Sequence, residues 1–187
     1  MTRSWASAAL AVVAAISLSG SAAADDADTG LYGLIDAVAQ RLQTADPVAA
    51  AKWVAGGPIT DPARAEQVLV AISAAAESTG LPVDFVRRAF TDQINANEAI
   101  QYSRFAGWKL DPAGAPSSAQ PLSASRDVID RLNALIVTEF AQQLPVLRSA
   151  ECPMLIESAR TGVVAARQLD DLYDRALEAA TRSYCNG

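Results

Sequence analysis

Six side chains in this sequence could do chemistry as a group: the cations Arg41, Lys52, Arg64 and Arg126, and the neutral amides Asn97 and Gln101. Each leans toward the apolar edge of a stretch with helical periodicity. Arg41 lies along the edge formed by Leu34 and Val38, and Lys52 follows Val48 by one turn. Arg64 opens a stripe continued by Val68 and Ile72, and Arg126 opens one continued by Ile129, Asn133 and Ile136. A guanidinium fork matches carboxylates in pairs, so the set describes a pocket for a small anion, a dicarboxylate or a phosphate. Taken one at a time, such residues are more often surface groups with packed stems. What sets these apart is their convergence, on separate helical segments, in a chain of net charge −6.

One wall of such a pocket would be the stretch from Val83 to Trp108. Its inward face runs Val86, Phe90, Ile94, Asn97, Gln101, Phe105 and Trp108, a single stripe at helical spacing. Two amides interrupt a face that should be apolar. Buried without partners, each would cost about 1–3 kcal/mol. They therefore sit either at a well-bonded helix–helix contact or against a cavity that holds a polar ligand.

The elements that position these residues follow from local signals. Leu31, Leu34, Ile35, Val38 and Leu42 make an amphipathic helix over 31–44, with the polar residues 25–30 left outside it. Asp46-Pro47 and Asp61-Pro62 both read as helix starts, Asp capping and Pro in the first turn. Gly56-Gly57-Pro58 and Gly80-Leu81-Pro82 read as stops. The central helix ends around Leu110, ahead of a Pro/Gly/Ser-rich loop, and a further helix starts at Ser123 or Ser125 and closes at Pro145. The last segment holds Cys152 and Cys185. A continuous helix between them would span about 50 Å, whereas a disulfide needs Cα atoms about 5–6 Å apart. If they pair, the segment is an antiparallel hairpin turning between Arg167 and Asp170, with Asp170 capping the second arm; the alternative is two buried free thiols.

Composition bounds the rest. With 187 residues, and few runs of β-branched or aromatic side chains, the chain reads as an all-α, single-domain helical bundle of about six helices. It has no histidine, so a His-dependent triad or a His–metal site is excluded. No glycine-rich phosphate loop, metal-ligand cluster or activated nucleophile stands out, so neither cofactor nor metal is expected. The acidic balance argues against nucleic acid, and no lysine-rich cluster suggests anionic lipid. Arg3, the apolar run from Ala6 to Leu18 and the small residues Ser21 to Ala24 read as a signal peptide over 1–24, leaving a mature domain over 25–187. That run is short for a membrane span, so no membrane association is expected after cleavage. Export also permits a disulfide.

A family resemblance covers nearly all of this mature chain. It is carried by Arg41-Leu42, by Ala45-Asp46-Pro47-Val48-Ala49-Ala50 with Lys52-Trp53, by Asp61 with Arg64 and Glu66-Gln67, and by Phe90 to Ile94. Glu98-Ala99-Ile100, Tyr102-Ser103-Arg104-Phe105, Trp108-Lys109-Leu110, Leu122 to Arg126 and Ser183-Tyr184-Cys185 continue it. In this order and spacing they resemble the all-helical chorismate mutases of the secreted gamma subclass, found in mycobacteria and their relatives. The resemblance implies conversion of chorismate to prephenate by an intramolecular Claisen rearrangement, with one chain supplying the pocket and a homodimer as the usual assembly. It implies that Cys152 and Cys185 form a disulfide. It also implies that Arg41, Arg64 and Arg126 hold the carboxylates and neighbouring oxygens, and that Lys52 and Gln101 hydrogen-bond the ether oxygen. Asn97 then sits near a carboxylate and Asp61 on the hydroxyl side.

The chain departs from that subclass at three positions. Close relatives have Glu where it has Gln101, and Thr where it has Asn97; some have Gln where it has Val68. The last change would pass a hydroxyl contact to Gln67 or Glu66. A competing reading is a secreted helical binding or interaction module that keeps the anion pocket without turnover. A purely structural bundle is a third, for which four inward cations would be costly.

Overall fold

Each apolar stripe needs a partner, and the chain supplies partners by folding its helices on one another. The computed structural model describes the backbone of residues 21–186 and the side chains of residues 31–185. The signal-peptide assignment over 1–24 falls, but for four backbone positions, outside these residues. Seven α-helices occur among the described residues: α1 (Ser21–Gln43), α2 (Ala45–Ala55), α3 (Pro62–Thr79), α4 (Val83–Leu110), α5 (Leu122–Leu147), α6 (Cys152–Arg167) and α7 (Asp171–Thr181). Short 3-10 turns lie at Pro112–Gly114 and Tyr184–Asn186. The expectation was about six. None of the described helices is long and apolar enough to cross a membrane.

Helix α1 packs on α5, α6 and α7, while the 28-residue α4 packs on α2, α3 and α7. Between them lies the core, where Leu34, Ile35, Val86, Phe90, Ile136, Phe140, Leu177 and Tyr184 are all solvent-excluded. Phe140 is its hub, with ring centroids 5.0 Å from Phe85, 6.3 Å from Phe90 and 4.9 Å from Tyr184. These edge-to-face contacts add to the burial of large rings. The Tyr184 hydroxyl, deep in this core, accepts a 2.8 Å bond from Gln93 Nε2. Cys152 and Cys185 form a disulfide with Cα atoms 5.6 Å apart. The hairpin between them turns at Gln168, whose φ of 52° ends α6, and Asp170 caps α7 by accepting from the Tyr173 backbone N–H at 2.9 Å.

Four local expectations are corrected. Helix α1 runs back through residues 25–30; Asp, Thr and Gly there are weak helix formers, but no proline interrupts the run, which continues the turn begun at Ser21. Asp46 does not cap α2, because Thr44 precedes it as the junction with α1; its carboxylate instead pairs with Arg104 at 2.6 Å. Helix α5 starts at Leu122 after Pro121, earlier than Ser123 or Ser125, with no side-chain cap. Pro145 lies inside α5, which runs on to Leu147. So close to the C-terminal end, a missing N–H forfeits one backbone bond without stopping the chain. Asp61 caps α3 as expected, accepting from the Arg64 backbone N–H at 3.0 Å.

Candidate active site

Five helices meet around a half-open cleft. Arg41 reaches it from the C-terminal end of α1, Lys52 from α2, and Asp61, Arg64 and Val68 from the start of α3. Asn97 and Gln101 come from the middle of α4, and Arg126 from the first turns of α5. Val48, Ile59, Ile94, Leu122 and Ile129 give it apolar walls. A concave site, mostly apolar with a few polar groups aimed inward, suits a small molecule. The loop after α2 is part of it. Gly56 ends α2 at a φ of 69°, a left-handed conformation that a side chain would strain, and this turn lets Ile59 fold back under Lys52.

The deepest cation is Arg41, only 4 % exposed. Its guanidinium carbon lies 5.7 Å from the centroid of the Phe90 ring, and its Nε donates to Asn133 Oδ1 at 2.8 Å. Burial lowers its pKa to about 10, partly offset by Tyr184 and Asp130 and deepened by Arg64. Arg41 takes part in none of the ion pairs among the described residues. A desolvated guanidinium without a counter-charge is costly in itself and attracts an anion.

The two α4 amides do both things their positions allowed. Asn97 Nδ2 donates to the backbone carbonyls of Arg41 at 3.3 Å and Leu42 at 3.5 Å near the end of α1, where the Arg41 carbonyl also accepts from the Thr44 backbone N–H and hydroxyl. Its Oδ1 accepts from Gln101 Nε2 at 2.7 Å. Gln101 is 3 % exposed, and its Oε1 is buried with no hydrogen-bond partner. The pair is thus a helix–helix contact that also lines the cleft.

The remaining cations lie nearer the mouth. Lys52 is half-buried and donates to the Ile59 carbonyl. Desolvation lowers its pKa, opposed by Glu98 and Asp61 and reinforced by Arg126. Arg64 is tied to Asp130 of α5 at 2.9 Å, in a partly exposed pair. Arg126 is exposed at the rim.

Gln67 is not brought into the cleft. It is exposed and faces a separate groove between α3 and α5, because it is rotated about 100° from Val68 on the same helix. Val68 does line the cleft, 7 % exposed. Three contributors escaped the sequence reading. Glu98 lines the cleft beside Lys52, and accepts from Thr60 at 3.2 Å. Its neighbour Asn97 on the inward stripe was a usable signal. Asn133 was already on the inward stripe of α5, but its bond to Arg41 crosses 92 positions of sequence. Ile59 sits in a loop, where periodicity carries no information.

Comparisons with known proteins point to one family. Residues 32–102 match the family described as Chorismate mutase type II. The chain is 49% identical over 180 residues to a protein named secreted chorismate mutase from Mycolicibacterium smegmatis, spanning 94% of this chain and 99% of that one. It is 46% identical over 160 residues to one of the same name from Mycobacterium tuberculosis, spanning 86% and 80% of the two. Among solved structures, a chorismate mutase from Burkholderia phymatum superposes with a TM-score of 0.80 at 32% identity, over 85% of this chain and 98% of that one. A secreted chorismate mutase from Yersinia pestis gives 0.66 at 26%, over 81% and 94%.

Proposed function

This chain belongs to the chorismate mutase family, and we propose that its five-helix cleft converts chorismate to prephenate without covalent chemistry, as an intramolecular isomerase. One observation carries the reading: a buried arginine with no ion-pair partner among the described residues opens into a cleft that two further arginines and a lysine also line. In the rearrangement, the bond between the ether oxygen and the ring breaks while a carbon–carbon bond forms within the same molecule. No nucleophile, general base or redox partner enters the balance. The protein has two tasks: holding the dicarboxylate in its compact reactive conformer, and stabilising negative charge that develops on the ether oxygen.

Arg41 and Arg126 bind carboxylates from the floor and rim of the cleft, and Arg64 turns from Asp130 toward the substrate. Lys52 and Gln101 donate to the ether oxygen, an arrangement the lysine's position opposite α4 supports. Asn97 holds Gln101 in place and lies near a carboxylate, and Asp61 faces the hydroxyl side. Val68 offers only apolar contact where a glutamine would donate. Residues 1–24 serve as a signal peptide and the mature protein leaves the cytoplasm, as the names of the secreted relatives support. A homodimer rests on the family resemblance and is tested by sedimentation of the mature protein.

The activity test is loss of chorismate absorbance, with prephenate identified as product, on adding purified mature protein. Turnover that Lys52→Ala and Arg64→Ala reduce at least tenfold supports the assignment. No turnover, with tight dicarboxylate binding, would favour the binding-module reading instead.

A further inference from the structure

The way α5 holds the two site arginines is asymmetric. Arg64, partly exposed, is held by a carboxylate, Asp130, at 2.9 Å. Arg41, almost fully buried, is held one turn further along the same helix by a neutral amide, Asn133, at 2.8 Å. Buried cations usually acquire a carboxylate, because desolvation otherwise goes uncompensated. A carboxylate would have fitted, since aspartate has the same shape as asparagine. We propose that Asn133 is a positioning residue that fixes the Arg41 guanidinium side-on through Nε while leaving its charge unpaired for an anionic ligand.

The chemistry of the fork supports this. A guanidinium presents five N–H donors in a plane, and can grip a carboxylate end-on through its two terminal nitrogens. Asn133 Oδ1 occupies the Nε–H and so leaves that end-on pair for the ligand. The Phe90 ring beneath the guanidinium restricts its tilt. Asn133 is itself 6 % exposed, so the substrate need not touch it. It acts through Arg41.

This inference rests on the proposed reaction, and the experiment separates the two. Wild type, Asn133→Asp and Asn133→Ala are compared for melting temperature, for kcat and KM on chorismate, and for calorimetric binding of a bicyclic ether dicarboxylate shaped like the transition state. Asn133→Asp places a counter-charge on Arg41. It should melt at or above the wild-type temperature yet bind the dicarboxylate about tenfold or more weakly, with KM raised in step. A residue that merely filled space would show the opposite pattern, moving the melting temperature and sparing affinity. Asn133→Ala, should the aspartate variant not fold, is expected to raise KM about tenfold with a smaller change in kcat. Wild-type affinity in whichever variant folds overturns the inference. Wild-type protein that binds the dicarboxylate without turnover overturns only the proposed reaction, and one that does neither overturns both.

Discussion

Substituting Gln101 by glutamate should convert a flat acid limb into a steep one. Gln101 is 3 % exposed, and its Nε2 donates at 2.7 Å to Asn97 Oδ1. An amide keeps its N–H donors at every ordinary pH, so nothing at this position titrates in the wild type. A glutamate of the same shape can donate only when protonated. The ordinary glutamate pKa of about 4.3 is the reference, which burial raises and the neighbouring cations Arg41 and Lys52 lower. At that reference the donating fraction is about one half at pH 4.3 and about 10⁻³ at pH 7.3, and the whole limb moves with the pKa in the site. Losing one such donor to a developing oxyanion costs about 10²–10³ in rate. Gln101→Glu should therefore come within about twofold of wild type near pH 4.3, then lose about tenfold per pH unit until it is 10²–10³-fold slower near pH 7.3. Asn97 cannot turn over to greet a carboxylate without giving up its bonds to the Arg41 and Leu42 carbonyls. The assay is kcat/KM from chorismate absorbance across pH 4–8. A Gln101→Glu profile as flat as the wild type, or a wild-type rate that itself climbs steeply below pH 5, would refute the reasoning.

Three further outcomes are expected. Because burial lowers the Lys52 pKa and Glu98 is the first of the groups opposing that shift, kcat/KM should fall on the alkaline side below the ordinary lysine value. Glu98→Gln, by removing a negative neighbour, should move that limb lower still. Asp130→Asn frees Arg64 from a partly exposed pair, so stability should change by less than about 1 kcal/mol while KM falls about two- to fivefold. Replacing both cysteines by serine opens a bridge of sequence separation 33, and should cost about 3–4 kcal/mol by denaturant titration in the chain-entropy account.

Most of the helices were legible because their apolar residues recur at helical spacing, and α4 was found to its ends, Val83–Leu110. Boundaries failed where a cap signal competed with packing. Asp46 looks like a cap, but α1 leads into α2 through Thr44, so its carboxylate was available to Arg104 from α4. Pro145 looks like a stop, but proline near a helix's end breaks little. Within the cleft, the side chains on the inward stripes could be named because each lies on a helix whose facing side is set by its hydrophobic neighbours. Gln67, brought in only through the family resemblance, lies off that stripe, and a single step along α3 from Val68 turns it out of the cleft. Long-range partners were not legible at all: Asn133 with Arg41, and Asp130 with Arg64, meet only once α5 has packed against α1 and α3.

The central claim is that these side chains bind the transition state more tightly than the substrate. It is tested most directly by measuring the inhibition constant of the bicyclic ether dicarboxylate across variants at Arg41, Lys52, Arg64, Gln101 and Arg126. Plotted against kcat/KM on logarithmic axes, the account predicts a line of slope near one, because each lost interaction should weaken mimic and transition state alike. Variants that lose turnover while holding the mimic as tightly as wild type would contradict it.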